Sequence, residues 1–335
     1  MHAELEQLYR GESLDQPTMQ ALIARVVAGE AEPLQLAALL VALKIKGETP
    51  FEIAGAASAI RAAATPFAKP AYPVADIVGT GGDGHHTLNI SSTAMLVAAA
   101  AGVKVAKHGN RSVSSKSGSA DLLEALGIKL DMSPQLARQA LDELGCCFLF
   151  APVYHSGFRH AGPVRAALKT RTLFNVLGPL VNPAHPEYML LGVYSPALVE
   201  PIAEALALLG VKRALVVHGS GLDEIAIHAE TQAVLVDNGE LSAFTITPEA
   251  LGLPRYPLSA LVGGDAAHNA ELTRAILAGH GQDAHVSAVA ANAGALIFVA
   301  GLAESLSRGV SLALEVIASG KAAVLAQRLA EVSHG

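Results

Sequence analysis

A glycine-rich segment followed by hydroxyl and amide side chains forms the first candidate site. Four glycines lie within residues 79–84 (GTGGDG), after a mostly apolar segment at residues 74–78. Residues 87–93 (TLNISST) come next and open an apolar run that ends at Ala101. A strand, a glycine turn and a helix N-terminus bind anions together, because free backbone N–H groups and the positive end of the helix dipole face the ligand. This order of residues therefore predicts a phosphate site.

The predicted phosphate site continues into a stretch without acidic side chains. Between Gly84 and Ala120 there is no Asp or Glu, although the chain has a net charge of −7. The basic residues in this window are Lys104, Lys107, Arg111 and Lys116. A local excess of positive charge favours a multiply charged phosphate ligand.

Two other interpretations of the glycine segment remain open. Gly79, Gly81 and Gly84 match the GxGxxG pattern of dinucleotide-binding folds, which also requires an acidic residue about 20 positions further on. That position falls near Lys104, inside the window without acids. The second alternative is a glycine-rich turn that binds no ligand.

Two adjacent carboxylates form the second candidate site. Asp223 and Glu224 follow a valine-rich segment, residues 211–217, through a glycine-rich turn. Ligands of an open parallel sheet bind beyond the carboxyl ends of its strands, so we expect this pair to face the same crevice as the glycine segment. One or two carboxylates completed by substrate oxygens and water suit Mg²⁺. The alternative is a solvated acidic turn.

The third candidate site is residues 155–165 (HSGFRHAGPVR). The guanidinium of Arg165 has five N–H donors in a rigid fork that suits a carboxylate, and a surface ion pair is the alternative. His155 and His160 are five residues apart and do not align on one helix face. We therefore expect satisfied or solvent-facing histidines here rather than a metal site.

The elements that must position these groups follow from periodicity and helix-breaking residues. Residues 1–65 predict short helices, and Pro66, Pro70 and Pro73 form a stiff linker after them. Short apolar segments then alternate with helices, which indicates a largely parallel sheet covered on both faces. Residues 237–239 (DNG) predict an antiparallel hairpin.

The sequence thus predicts an α/β protein with two domains. Residues 1–70 form a small N-terminal helical domain, on which helices from about residues 160–185 pack. Residues 71–335 form a larger domain with a mostly parallel central sheet covered by helices, which carries the phosphate and metal sites.

Composition excludes some classes of protein and leaves others open. A pI near 6.0 gives no reason to expect binding to nucleic acid or to an anionic membrane. Residues 286–303 carry no charge, but their apolar character comes mainly from alanine, so a buried core helix is favoured over a membrane span. Cys146 and Cys147 are adjacent, which favours a reducing compartment such as the cytoplasm, and the N-terminus shows no secretory pattern.

The motifs together resemble the anthranilate phosphoribosyltransferase family of tryptophan biosynthesis. Six segments carry the resemblance, in order along nearly the whole chain: GTGGDG, NISS, KHGNRSVSSKSG, HAGPVR, TLFNVLGPLVNPA and GLDE. Related phosphate loops occur in pyrimidine nucleoside phosphorylases of the same fold. One departure is Ser92, where the family usually has threonine; a hydroxyl is retained, so we expect the phosphate contact to survive.

The resemblance implies a glycosyltransferase that moves the 5-phosphoribosyl group from phosphoribosyl pyrophosphate to the amine of anthranilate, with Mg²⁺ as cofactor. An aromatic amine is already neutral at pH 7, so we expect neither a catalytic base nor a covalent nucleophile. Charge builds up on the leaving pyrophosphate, where a metal ion and fixed donors can stabilise it. Another transferase or phosphorylase of this fold with a different acceptor, or a nucleic-acid-binding paralogue, are the alternatives.

The resemblance also implies the roles of individual residues. The expected phosphoribosyl pyrophosphate site comprises Gly79, Gly82, Asp83, Thr87, Asn89, Ser91, Ser92, Lys107, His108, Gly109, Asn110, Arg111, Ser115 and Ser119. The expected anthranilate site comprises Gly79, His108, Asn110 and Arg165, and the expected metal ligands are Ser91, Asp223 and Glu224.

A homodimer through the N-terminal helices is expected, since the family usually pairs there. The helices also carry more apolar side chains than so small a bundle is expected to bury. Those apolar residues include Leu22, Ile23, Val26, Leu36, Leu39 and Leu40.

Overall fold

The computed structural model describes residues 1–112 and 116–335. Its helices are α1 (His2–Tyr9), α2 (Gln16–Val27), α3 (Pro33–Lys46), α4 (Pro50–Ala62), α5 (Ile90–Ala100), α6 (Ser119–Ala125), α7 (Pro134–Leu144), α8 (Ala151–Tyr154), α9 (Gly162–Leu168), α10 (Phe174–Leu177), α11 (Val199–Leu208), α12 (Ala266–Leu277), α13 (Asp283–Val299), α14 (Leu306–Ala318) and α15 (Lys321–Ser333). Its strands are β1 (Ala75–Gly79), β2 (Val105–Gly109), β3 (Cys146–Phe150), β4 (Tyr188–Gly192), β5 (Arg213–His218), β6 (Thr231–Asp237) and β7 (Glu240–Ile246).

The strands form one sheet whose order reverses beside β1. The order is β3-β2-β1-β4-β5-β6-β7. Strands β1 to β5 pair in parallel, whereas β6 pairs antiparallel with β5 and β7. Successive strands are added on one side of β1 up to β3 and on the other side from β4 onward. The carboxyl ends of β1 and β4 therefore flank a switch point, where open α/β sheets bind ligands.

The predicted fold class is confirmed, including the hairpin. Asn238 and Gly239 connect β6 to β7 with φ angles of 50° and 89°. Two consecutive positive φ angles give the twist that a two-residue hairpin needs, and Asn-Gly tolerates them well.

The N-terminal helices are joined around one buried carboxylate. Thr49 caps α4, its hydroxyl accepting from the N–H of Glu52, and the Glu52 side chain accepts in turn from the N–H of Thr49 (2.8 Å). The same carboxylate accepts from the N–H of Leu14 (3.0 Å) and from Nζ of Lys46 (2.9 Å). Glu52 is fully buried, so these contacts connect the segment before α2 and the end of α3 to the start of α4.

The core of the N-terminal helices continues into the rest of the chain. Leu173 and Phe174 belong to this core, together with Ile202 of α11 and Val216 of β5. The helices near residues 160–185 thus pack on the N-terminal helices. The division at residue 70 stays a prediction, because this core is shared with one face of the sheet.

We expected six apolar residues of the N-terminal helices to require a partner surface, and that expectation is wrong. Their side chains pack inside the chain, since no more than a few per cent of each is exposed: Leu22, Ile23, Val26, Leu36, Leu39 and Leu40. Helix α2 packs on α4 and on the turn at residues 156–160, and α3 packs on α1 and α9, so these side chains find their partners within the bundle and in the segment of residues 156–168. Other residues of the same helices remain exposed and are considered below.

Helix α13 passes through the centre of the larger core. Its uncharged middle is buried, including Asn292, whose side chain bonds to the backbone of Ile225 and Ala288. No single helix of the described chain is long and apolar enough to cross a bilayer; α14 and α15 pass that test only as a pair, and they are bent by 71°.

We predict that Glu52→Gln destabilises the helical bundle. An amide of the same shape presents one oxygen where the carboxylate accepts several bonds, and it leaves Lys46 without its buried counter-charge. Breaking such a pair costs about 3 kcal/mol, so the apparent Tm should fall by several degrees in differential scanning calorimetry. Glu6→Gln, on an exposed position of α1, is the control, and an equal Tm for the two variants would contradict this account of the bundle.

Candidate active site

One cavity of about 1030 Å³ opens at the switch point of the sheet. It is lined by the carboxyl ends of β1 and β2, the N-terminus of α5, the segment around α9 and the loop after β5. Every described residue of the three predicted sets lines it: Gly79, Gly82, Asp83, Thr87, Asn89, Ser91, Ser92, Lys107, His108, Gly109, Asn110, Arg111, Ser119, Arg165, Asp223 and Glu224. Ser115 lies outside the described residues. The structure thus brings these residues together, and their individual roles stay predictions.

The glycine loop presents backbone N–H groups in a concave turn. Gly81, Gly82 and Gly84 have φ angles of 69°, 81° and 80°, a region that favours glycine. Within the described chain, the N–H groups of Gly82, Asp83 and Gly84 have no hydrogen-bond partner. Unpaired N–H groups in such a turn form an anion-binding concavity.

The loop after β5 crosses directly over the ends of β1 and β4. A Cβ built on Gly79 would lie 2.2 Å from Oδ2 of Asp223, and one on Gly192 would lie 1.6 Å from the Asp223 carbonyl oxygen. Only glycine fits at these two strand ends. The close approach lets Oδ2 of Asp223 accept a hydrogen bond from the N–H of Gly81 (2.6 Å).

Glu224 lies at the N-terminus of α5. Its Oε1 accepts from the N–H of Ser91 (3.1 Å), a position where the helix dipole favours negative charge. Burial in the cavity raises the pKa of both carboxyls; the charge of Asp83 raises that of Asp223 further, and the charge of Asp223 raises that of Glu224. These carboxylates therefore repel each other in a poorly solvated place, and a divalent cation would relieve that repulsion.

The donor set fits a magnesium ion that shares its ligands with a substrate. Within residues 1–112 and 116–335, no three His, Cys, Asp or Glu side chains are placed to hold a metal ion by themselves. Two carboxylates next to a phosphate site are the arrangement that Mg²⁺ prefers, because substrate oxygens and water complete its shell.

Two buried charged side chains, Lys107 and Asp76, lie on the strands that end at the cavity. Lys107, on β2, is 2% exposed and its Nζ donates to the carbonyl of Ile77 (2.5 Å). Burial lowers the pKa of Lys107, while the charges of Asp76, Glu224 and Asp223 act in the opposite direction. Burial raises the pKa of Asp76 to about 6. Lys107 is thus close enough to both carboxylates of the predicted metal site for their charges to act on it.

Asp76 also ties the strands to the segment after α10. It accepts from the N–H of His108 (3.3 Å) and from Nδ2 of Asn182 (2.8 Å). Asn182 donates in addition to the carbonyl of Ala106 (2.7 Å). These bonds fix the position of β2 relative to β1 and so the position of His108 in the cavity.

Three of the four basic residues between Gly84 and Ala120 line the cavity, and Lys104 does not. Arg111 forms ion pairs with Asp121 (2.9 Å) and Glu124 (2.8 Å) of α6, although it lines the cavity. Lys104 precedes β2 and lies over the ring of Tyr72, at the opposite end of the strand. Lys107 and Lys116 line the cavity. Lys104 therefore does not contribute to the cavity, since the length of β2 separates it from the site.

An aromatic wall forms the other side of the cavity. His108 and His155 pack edge to face with ring centroids 5.0 Å apart, and His155 contacts Phe158 in the same way at 5.8 Å. Phe158 then meets Phe174, also at 5.8 Å. Burial and the His155 ring lower the pKa of His108 to about 3, and burial lowers that of His155 to about 4. Both rings are therefore neutral at pH 7.

The prediction for the two histidines of residues 155–165 holds for one of them. His160 is exposed, but His155 is buried in the cavity wall without a hydrogen bond of normal geometry to a described residue. Spacing along a helix could not find His155, because it lies after α8 and reaches the cavity through a turn. Phe158, Phe174 and Arg171 were also missed as site residues, although Phe158 and Phe174 lie within the segments quoted above and Arg171 directly precedes one of them.

Arg165 ends the aromatic wall. It lies on α9 with its guanidinium 5.4 Å from the centroid of the Phe174 ring, and burial lowers its pKa. It forms no ion pair with any residue that the structure describes, so the alternative of a surface ion pair does not apply. An unpaired guanidinium in a cavity is suited to bind a carboxylate.

Comparisons with known proteins agree with this arrangement. The model of the glycosyl transferase family a/b domain matches residues 71–323, and that of the helical bundle domain of the same family matches residues 4–64. An anthranilate phosphoribosyltransferase from Aeromonas salmonicida is 60% identical over 334 residues, which is 100% of this chain and 99% of the relative.

Solved structures show the same fold. Anthranilate phosphoribosyltransferase from Thermus thermophilus superimposes with a TM-score of 0.94 at 48% identity, covering 99% of both chains. The Saccharomyces cerevisiae enzyme in complex with PRPP and Mg gives 0.89 at 26% identity, covering 98% of this chain and 96% of the other. The chain therefore belongs to the anthranilate phosphoribosyltransferase family.

Proposed function

We propose that this chain transfers the 5-phosphoribosyl group from phosphoribosyl pyrophosphate to the amine of anthranilate, releasing pyrophosphate, as a step of tryptophan biosynthesis. One observation carries the proposal: a single cavity holds unpaired backbone N–H groups beside two carboxylates on one side, and a neutral aromatic wall ending on unpaired Arg165 on the other. The first side suits a magnesium diphosphate and the second an aromatic carboxylate.

The donor is held at the end of β1. The N–H groups of Gly82, Asp83 and Gly84 and the N-terminus of α5 receive its anionic groups, and Thr87, Asn89 and Ser92 add side chains around them. Asn89 is fixed for this purpose, because its side chain bonds to Ser117 and to Asn269. The donor site further uses Lys107, Gly109, Asn110, Arg111 and Ser119, and Ser115 is assigned to it by the family motif.

Asp223, Glu224 and Ser91 would hold Mg²⁺ in this proposal. A relative solved with PRPP and Mg supports the metal. When bound, the ion would supply positive charge to the pyrophosphate as it leaves. The chain itself prepares the place, since the N–H groups of Gly81 and Ser91 orient the two carboxylates, and Lys107 lies close enough to interact with their charges.

The acceptor lies between the aromatic wall and the donor. Arg165 binds its carboxylate, and the wall of His108 and Phe158 packs on its ring. Gly79 and Asn110 border the space between the two substrates. Neutral His108 does not protonate the amine, which must keep its lone pair to attack the ribose carbon. The rate acceleration therefore comes from the positioning of the two substrates rather than from acid–base chemistry.

The function is tested by product formation with and without metal. We predict that the wild-type chain forms N-(5-phosphoribosyl)anthranilate only when Mg²⁺ is present. Asp223→Asn combined with Glu224→Gln should lose most of this activity because the charged metal ligands are gone. The fold should survive, since each amide oxygen can still accept the bond from Gly81 or Ser91.

The control variant is Glu200→Gln combined with Glu204→Gln, which alters two exposed acids of α11. The measurement is the loss of anthranilate fluorescence together with the release of pyrophosphate, across a magnesium titration. Wild-type turnover by the Asp223/Glu224 variant at limiting Mg²⁺ would disprove the metal assignment, and no product from the wild type would disprove the function.

We predict that Arg165→Ala weakens the binding of anthranilate much more than the binding of the donor. Loss of a charge-assisted, bidentate contact costs about 2–3 kcal/mol, so the KM for anthranilate should rise by a factor of tens to hundreds. The control is aniline, which lacks the carboxylate: wild type and variant should use it equally poorly. An equal rise in the KM of both natural substrates would indicate that Arg165 only supports the fold.

We also propose that two copies of the chain pair through the N-terminal helices. Large apolar side chains remain exposed there: Leu34 is 85% exposed, Ile45 is 81%, Tyr9 is 58% and Phe51 is 53%. Leu34 and Ile45 lie on α3 together with Val41, at spacings that place all three on one helix face. A two-fold interface would use this patch on both copies.

The pairing predicts a mass of twice 34.3 kDa in sedimentation equilibrium at micromolar concentration. Leu34→Glu combined with Ile45→Glu should give a folded monomer, because both charges would be buried without partners at the interface. Val324→Glu, at another exposed apolar position, is the control and should remain dimeric. A monomeric wild type would exclude the proposal.

A cytoplasmic location completes the proposal. Cys146 and Cys147 are free and buried, and free thiols persist in a reducing compartment.

A further inference from the structure

Arg171 makes the contact between the glycine loop and the segment that follows α9. Its Nη2 donates to the carbonyl of Gly82, and its guanidinium carbon lies 3.9 Å from the centroid of the Tyr194 ring. A Cβ on Gly82 would lie 3.0 Å from the same Nη2. The guanidinium is therefore stacked on one side and bonded to the loop at its edge, in the geometry that arginine alone among the cations offers.

The bond to the Gly82 carbonyl also fixes a neighbouring N–H group. A trans peptide is planar, and its C=O and N–H point in opposite directions. The peptide that carries the Gly82 oxygen also carries the N–H of Asp83, which has no partner within the described chain. Holding the oxygen at Arg171 thus directs the Asp83 N–H away from that arginine, and prevents the loop from turning the oxygen toward an anion.

The residues that contact Arg171 on either side belong to other elements or are bonded to them. Lys44 of α3 donates to the Arg171 carbonyl (3.0 Å) and to the Thr170 hydroxyl. On the other side, the N–H of Tyr194 donates to Oγ1 of Thr80 (3.0 Å), and the N–H of Thr80 donates to the carbonyl of Gly192 (2.9 Å). Arg171 therefore connects the helical bundle, the end of β4 and the glycine loop.

We infer that Arg171 is a positioning residue for the phosphoribosyl donor, which sets the orientation of the Gly82–Asp83 peptide before the diphosphate binds. The inference rests on the proposed function. Arg171 preorganises the loop. Without it, about one residue of the loop would have to lose its conformational freedom when the donor binds, which corresponds to roughly a tenfold lower affinity for the donor. The acceptor side, built on Phe174 and Arg165, does not depend on this peptide.

The test compares Arg171→Ala and Arg171→Lys with wild type. Binding of phosphoribosyl pyrophosphate with Mg²⁺ is measured by calorimetry without acceptor, and the KM values of both substrates are measured in turnover. Arg171→Ala should weaken the donor about tenfold and leave the KM of anthranilate unchanged. Arg171→Lys, which can bond to Gly82 but cannot stack as a plane on Tyr194, should recover part of the loss. Lys44→Met should show the same pattern more weakly.

A purely structural role is distinguished by two further readouts. Hydrogen exchange of the bonded N–H groups of Thr80 and Gly81 in the ligand-free chain should be faster in Arg171→Ala, while the Tm stays within about a degree or two of wild type. Arg274→Ala is the matched control, because Arg274 is likewise exposed and donates to one carbonyl, that of Ala125 (2.8 Å), away from the cavity. It should bind the donor as wild type does.

The outcomes separate this inference from the proposed function. If wild type binds the donor and Arg171→Ala binds it equally well, the positioning role is excluded and the function stands. Arg171→Ala could instead unfold, or raise the KM of both substrates alike. In either case the role is also excluded if Arg171→Lys and Lys44→Met bind the donor as wild type does. If wild type itself does not bind the donor, the proposed function fails and the inference fails with it.

Discussion

The site depends on how closely one loop crosses the ends of two parallel strands. Asp223 passes over Gly79 and Gly192 at distances that exclude any Cβ. This contact brings the carboxylates after β5 to the glycine loop after β1, although the two strands are not neighbours. Without it, the N–H of Gly81 and the N-terminus of α5 would lack their acidic partners. The glycines are therefore required for packing at these two strand ends, in addition to any role toward a ligand.

The cavity has charges of both signs. Lys107, Asp223, Glu224 and Arg165 all line it, Asp76 is buried next to it on β1, and Arg165 has no ion-pair partner in the part of the chain that the structure describes. The carboxylates are costly in this place, because burial and mutual repulsion raise the pKa of both. The magnesium ion of a magnesium diphosphate would supply the positive charge that they lack. Its phosphate oxygens would accept hydrogen bonds from the unpaired N–H groups. Cavity and ligand are thus complementary in both signs of charge.

The parts of this structure that sequence could predict are those governed by local rules. The glycine loop and the Asn238-Gly239 hairpin each depend on a few adjacent residues, and both are found. Alternating apolar segments predicted the parallel sheet, and the parallel sheet in turn predicted that Asp223 would face the glycine loop. The family motifs extended this to a longer list of residues, and every one of them that the structure describes lines the cavity.

The parts that sequence could not predict depend on distant contacts. Arg111 is paired with acids of α6 that lie just beyond the window without acids. Counting charges within the window therefore overstated the positive charge that is available to a ligand. His155 and Arg171 enter the cavity from turns that have no periodicity. The buried leucines of the N-terminal helices pack partly on α9 and on the turn before it, and residues 1–65 alone do not reveal those partners.

The most direct test of the account is a crystal structure of this chain with phosphoribosyl pyrophosphate and Mn²⁺ in place of Mg²⁺. The anomalous signal of manganese locates the metal directly. The account predicts a peak within coordination distance of Asp223 or Glu224, with the diphosphate against the N–H groups of Gly82, Asp83 and Gly84. A diphosphate bound elsewhere, or a manganese peak away from both carboxylates, would contradict it.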